Sequence, residues 1–153
     1  MPSLDGAVVL ITGANGGIGT RFVEEALARG AAKVYATART PREWADERVV
    51  PLRLDVTDAE SIRAVVEAAP DVTVLINNAG ASVPTAGILT HTDDEIRHNV
   101  ETNFLGPLFL TQGLRPAVVG SRRSDGHRHP LRSRLVRRRR HLQRHEGGAV
   151  VGH

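Results

Sequence analysis

A chain of 153 residues, 41% of them hydrophobic, can build one core and leaves no room for several domains. The absence of cysteine, of any apolar run long enough to span a bilayer and of a basic-then-apolar leader argues against a disulfide scaffold, a membrane protein and a secreted one. The expectation is a cytoplasmic protein with no membrane contact. The net charge of +3 conceals two unlike halves: residues 1–116 carry 10 Lys+Arg against 15 Asp+Glu, whereas residues 117–153 carry 10 against 2. The division expected from this is a domain over 1–119 and a basic tail over 120–153.

The first part alternates strand and helix signals, which predicts a parallel sheet with crossover helices. Ala7 to Ile11 is a short apolar run, as for a strand buried on both faces. A helix over Gly17–Arg29 follows, with Ile18, Phe22, Ala26 and Leu27 at helical spacing and Gly30 where a helix ends on a left-handed residue. Val34–Ala38 reads as a second strand and Val49–Leu54 as a third, with Pro51 weakening its start. Thr57 or Asp58 can cap a helix running to Val66, with Ile62, Val65 and Val66 facing inward. Val72–Ile76 is the fourth strand, and Asp93 to about Val118 a long helix bent near Pro107.

Between the first strand and its helix stands Thr12-Gly13-Ala14-Asn15-Gly16-Gly17-Ile18-Gly19. Glycines here allow a tight turn, a close backbone approach to phosphate and close helix-to-strand packing. Backbone N–H groups at the positive end of the helix would then face a pyrophosphate. The strand before and the helix after supply the context such a turn requires.

In these residues the chain resembles the short-chain dehydrogenase/reductase family, whose Thr-Gly-x-x-x-Gly-x-Gly motif is matched by Thr12, Gly13, Gly17 and Gly19. Asp55-Val56 after the third strand and Asn77-Asn78-Ala79-Gly80 after the fourth match two further family markers in order. The resemblance implies a Rossmann-type, doubly wound parallel sheet, truncated after four strands in the order 3-2-1-4, with an irregular Arg-rich tail. It implies that Asn15 and Ile18 belong to the cofactor turn, that Asp55 contacts the adenine amino group and that Val56 lines the adenine pocket. It also implies that Asn77, Asn78, Ala79 and Gly80 steady the central strand near the nicotinamide ribose, and that Asn103, in Asn103-Phe104-Leu105-Gly106, is the family's active-site Asn. Capping or satisfying a kink is the alternative role for Asn103.

Cofactor choice follows from charge. An acid about 20 residues beyond the glycines would bond the ribose 2′-OH of NAD and repel the 2′-phosphate of NADP. Here Ala38 stands at that position and Arg39, a planar donor fork, follows it, so NADP(H) is expected over NAD(H). A solvated loop cation is the other reading of Arg39.

The resemblance stops near residue 119. A catalytic Ser and a Tyr-x-x-x-Lys pair would follow in the family, but the one Tyr is Tyr35 and the one Lys is Lys33. The general acid, a phenol tuned by an ammonium, is therefore missing, and the chain is expected to be inactive even if the cofactor binds. Residues 120–153 hold 10 Arg and 5 His, including Arg137 to Arg140. They can be read as a basic tail, giving the alternative of a non-catalytic nucleotide-binding protein whose tail touches nucleic acid. The lack of aromatic residues for base stacking weighs against nucleic acid, and His127, His129, His141 and His145 supply only two-ligand fragments for a metal. The third reading is a frameshift. Read one base later, Gly126–Leu131 permits Ala-Ile-Val-Thr-Leu-Ser, and His141–Gly148 permits Thr-Tyr-Ser-Ala-Thr-Lys-Ala-Ala, which contains the missing motif. The function expected of the lineage is hydride transfer between NADPH and a small carbonyl or alcohol substrate, in an intact ancestor that can form homo-oligomers.

Overall fold

The computed structural model describes residues 3–82 and 91–121, with side chains through Arg115. The tail beyond Ser121, including the segments whose shifted frame permits the catalytic motif, lies outside the described residues. The elements are β1 (Val8–Thr12), α1 (Gly17–Ala28), β2 (Lys33–Ala38), β3 (Val49–Arg53), α2 (Ala59–Ala68), β4 (Val74–Ile76), α3 (Asp93–Val100) and α4 (Gly106–Ser121), with a five-residue π-helical stretch, Glu101–Leu105, joining α3 to α4. All four strands are parallel in the order β3-β2-β1-β4. That is the Rossmann-type order the motifs imply.

Alternation along β1 explains why the sheet must be covered on both faces. Leu10, fully buried, joins Tyr35 of β2 and Ile62, Val65, Leu110 and Leu114 of α2 and α4 on one side. Val9 and Ile11 point the other way, with Val34 and Ala36 of β2 and Val23 and Ala26 of α1. A strand flanked by two such layers has to be apolar throughout, which is why periodicity shows a run rather than an alternation. Truncating Leu10 to Ala in such a layer costs about 2–5 kcal/mol.

Helix ends follow their local chemistry. The α1 helix ends at Gly30 (φ +89°), where Gly30 N–H donates to Leu27 O and Ala31 N–H to Ala26 O, the paired bonds of a Schellman motif. Asp58, rather than Thr57, caps α2 by accepting from Glu60 N–H at 3.0 Å. Thr92 and Glu95 form a reciprocal capping box at α3.

Several expectations need correction. The strand expected over Val72–Ile76 is ladder-paired only over Val74–Ile76. Thr73 instead clasps β1, its Oγ1 accepting from Val8 N–H at 3.0 Å. Ile18 and Phe22 are exposed, because α1 turns Gly19, Val23 and Ala26 to the sheet. The long helix changes character over Glu101–Leu105, before Pro107 rather than at it. Pro107 has no N–H to close an ordinary turn, and Gly106 N–H reaches back five residues to Glu101 O. Gly106 also lies against Val56, where a Cβ would collide with Val56 O and approach its Cβ to 2.9 Å.

Candidate functional site

The loops that follow the four strands converge on one cleft of about 640 Å³. Its walls are the glycine turn after β1, Ala38 to Thr40 after β2, Leu54 to Thr57 after β3 and Asn78 to Ala81 after β4, with His98 and Thr102 across from them. An open parallel sheet places such a crevice at the carboxyl ends of its strands, where the order reverses.

The glycine turn is shaped by two kinds of glycine. Gly13 (φ +67°) holds the left-handed turn itself, with Ala79 Cα 3.0 Å from where a Cβ would stand. A Cβ on Gly19 would collide with Gly13 O and lie 2.8 Å from Ala14 Cα, so α1 can start against the strand only without one. Gly17 differs: among the described residues nothing lies within 4 Å of its Cβ position. Among the described residues the space in front of the first turn of α1 is open, and the N–H groups of that turn, which have no partner within the helix, border it.

Below this turn Thr12 and Asn78 lock β1 to the segment after β4. Thr12 Oγ1, almost wholly buried, accepts from Asn78 N–H and Ala79 N–H, both at 2.9 Å. The Asn78 carboxamide donates to Thr12 O at 2.9 Å and Gly13 O at 3.2 Å. Asn78, which the sequence gives no means of preferring over its neighbour, is thus the residue that ties the two central strands. Asn77 points to α4 instead, donating to Thr111 Oγ1 at 3.2 Å.

Asp55 lies in the loop after β3. Its Oδ1 accepts from Thr57 N–H at 3.0 Å and Thr57 Oγ1 at 2.7 Å, which holds its carboxyl below the usual carboxylate range, with Arg39 and Arg53 adding a smaller pull. Its backbone N–H donates to the buried Ser61 Oγ at 2.9 Å. Asp55 Oδ2 accepts no hydrogen bond among the described residues, so an anionic acceptor is fixed at the cleft. Arg39 lines the same cleft and is exposed.

Asn103 sits within the π-helical stretch and does not line the cleft. Its carboxamide grips the backbone of Ala81 in both directions: Oδ1 accepts from Ala81 N–H at 2.9 Å, and Nδ2 donates to Ala81 O at 2.8 Å. The carboxamide thus ties the π-helical stretch to the segment after β4. Its neighbour Thr102 does line the cleft, and its hydroxyl is buried without a partner among the described residues. Of the residues singled out from sequence, Gly13, Asn15, Gly17, Ile18, Gly19, Arg39, Asp55, Val56, Ala79 and Gly80 line the cleft, while Thr12, Asn77 and Asn103 stand behind it.

Lys33 and Tyr35 lie at the opposite end of β2. Tyr35 OH donates to Asp71 Oδ1 at 2.8 Å and Lys33 Nζ to Asp71 Oδ2 at 2.6 Å, with Lys33 Nζ also 3.2 Å from the phenol oxygen. Burial and the bond to Asp71 push the Tyr35 phenol up, the reverse of the tuning a general acid needs near neutral pH. Among the described residues no group of three metal-ligating side chains occurs, and no helix is long and apolar enough to cross a membrane.

The sheet order and the glycine turn that opens onto its crevice define a Rossmann-type α/β protein. The sequence model of the family described as "short chain dehydrogenase" matches residues 7–127, and the chain belongs to that family. It is 35% identical over 139 residues to the "NADP-dependent 3-hydroxy acid dehydrogenase" of Schizosaccharomyces pombe, covering 82% of this chain and 54% of that protein. Among solved structures, a short chain dehydrogenase from Burkholderia cenocepacia in complex with NADP superposes with a TM-score of 0.70 at 34% identity, covering 78% of this chain and 50% of the other. The NADPH-bound carbonyl reductase from chicken fatty liver gives 0.69 at 32% identity, covering 76% and 50%. The chain spans about half the length of these relatives.

Proposed function

We propose that the cleft binds NADP(H) in preference to NAD(H), and that the lineage is that of an NADP-dependent oxidoreductase acting on carbonyl or alcohol substrates. The observation that carries this reading is Ala38 and Arg39 lining the cleft at the end of β2, where an acid would favour NAD. The fit of such a cofactor is supported by the open space before Gly17 and by the glycines that keep the turn close to β1. The NADP and NADPH named for two similar structures, and the NADP dependence named for the relative from S. pombe, point the same way.

In this reading the N–H groups of Asn15, Gly17 and Ile18 would hold the diphosphate, that of Gly16 being donated to Gly13 O within the turn, Arg39 would donate to the 2′-phosphate, and Asp55 would accept from the adenine amino group beside Val56. Ala79 and Gly80 border the nicotinamide ribose, while Thr12 and Asn77 fix the segment that carries them. A nicotinamide, when bound, supplies the hydride exchanged with a carbonyl or alcohol carbon. These 153 residues contain no Tyr-x-x-x-Lys to pass the accompanying proton. We therefore infer binding without turnover in the chain as it stands, with Asn103 serving to position the backbone at Ala81. The shifted-frame motif supports a frameshift as the origin of the Arg-rich tail.

Titration of the full chain with NADPH and NADH tests the binding. NADPH should bind more tightly, and Arg39→Ala should remove about tenfold or more of that advantage. Equal affinity of the unaltered protein for both overturns the assignment. NADPH oxidation with aldehydes, ketones and quinones should stay at background. A normal enzymatic rate would refute the inactive reading, and a stop codon in the shifted frame before its Tyr would refute the frameshift.

A further inference from the structure

Arg39 is a long, exposed side chain on an irregular loop, a poor starting point for selective recognition because ordering it costs entropy. The loop is nevertheless fastened at two further points. Asn15 Nδ2 donates to Thr40 O at 2.7 Å, joining the residue after Arg39 to the glycine turn. Two residues on, the Arg42 guanidinium lies over the Trp44 ring, 4.1 Å from its centroid, and donates to Thr20 Oγ1 at 3.2 Å. Thr20 Oγ1 in turn donates to Ala14 O at 3.1 Å, inside the glycine turn. The indole packs on the core layer under α1, while its Nε1 is buried without a partner among the described residues. An unsatisfied buried N–H costs stability, so the indole contributes its ring face rather than its polar edge.

We propose that Arg42 and Trp44 are positioning residues for 2′-phosphate selectivity: they bolt the loop carrying Arg39 to the turn carrying the diphosphate. This rests on the NADP(H) reading of the cleft. Arg42 does not line the cleft, whereas Arg39 and Thr40 do, so Arg42 acts through the loop and not as a phosphate ligand. The planar guanidinium is what lets one residue both stack on the indole and reach Thr20, a geometry a lysine ammonium does not reproduce.

The test uses the full chain and two small probes, adenosine 2′,5′-bisphosphate and adenosine 5′-monophosphate, which differ at the 2′-phosphate alone. Arg42→Ala and Trp44→Leu should each weaken the bisphosphate by roughly three- to tenfold, as expected when an ordered side chain becomes disordered, and leave the monophosphate unchanged. The unchanged monophosphate affinity also shows that each variant is folded. Arg42→Lys should behave like Arg42→Ala, and Arg42→Ala should add no loss in an Arg39→Ala background. An equal loss for both probes would reduce the pair to a structural role and overturn the proposal. Full additivity with Arg39→Ala, or full retention by Arg42→Lys, would make Arg42 a direct charge partner and overturn it as well. If the unaltered protein does not distinguish the probes, the NADP(H) reading itself falls. Discrimination that survives every Arg42 and Trp44 variant overturns the positioning role alone.

Discussion

Strand β2 ends in two different ways, and the contrast separates what holds this protein together from what it offers a ligand. At its amino end Lys33 and Tyr35 close on Asp71, three polar groups whose donors and acceptors satisfy one another. At its carboxyl end Ala38 and Arg39 leave a cation with no hydrogen-bond or ion-pair partner among the described residues, on the same cleft as an aspartate with one oxygen to spare. The same Lys and Tyr types would be catalytic in the family's motif, yet here the neighbours make them structural: Asp71 and burial raise the phenol instead of lowering it. Residue type counts for little until its partners are known.

The largest expected effect breaks the carboxyl end. Gly19→Ala should destabilise the fold by about 2–3 kcal/mol in urea unfolding and weaken NADPH by more than tenfold, because backbone rather than a flexible side chain blocks the new Cβ. Unaltered stability would show that the turn relaxes freely. Gly17→Ala sharpens the contrast, since its Cβ meets nothing within 4 Å among the described residues. Its stability should hold or rise by about 0.5–1 kcal/mol, since alanine is the better helix former, while NADPH affinity falls.

Thr12→Val comes next, keeping shape but depriving Asn78 N–H and Ala79 N–H of their acceptor. A loss of about 2 kcal/mol is expected from chemical denaturation, with both adenine-containing probes and NADPH weakened together. At the amino end Tyr35→Phe removes the bond to Asp71 and should cost about 1 kcal/mol without changing NADPH affinity. A change in affinity there would mean that the two ends are coupled.

The smallest effect is in pH. Hydrogen bonding to Lys33 holds the Asp71 carboxyl below its ordinary 3.8, so its contribution is fully present above that value and is lost as pH falls through the folded-state pKa. The bonds to Asp71 and Tyr35 raise the Lys33 ammonium above 10.5, and the Tyr35 phenol is raised above 10.0, so their contributions are present below those values and fade as pH rises through the folded ones. Unfolding midpoints across pH should show a plateau with both shoulders, and Asp71→Asn should flatten each of them. A profile unchanged by the substitution would show that solvent screens the cluster fully.

The strands and the glycine turn were legible because each is written locally, whereas the order β3-β2-β1-β4 followed from the family resemblance. A short apolar run between turn residues fits a buried strand, as at β1, and Gly13 and Gly19 stand where a Cβ has no room. Residues that face one another across the sheet were not legible. Asn78 differs from Asn77 by one position, and strand register alone turns the first toward Thr12 and the second toward Thr111. Tyr35 and Asp71 are 36 residues apart, and they meet only because β2 and β4 flank β1 in parallel. Likewise, Pro107 signalled a disturbance in the long helix, but the contact of Gly106 with Val56 and the grip of Asn103 on Ala81 accompany a π-helical stretch one turn earlier. Sequence by itself determined the elements, their order along the chain and the anion-friendly turn, since these depend on backbone freedom and periodic burial. Tertiary structure decided which polar groups became partners and which were left open at the cleft, since that depends on register across the sheet.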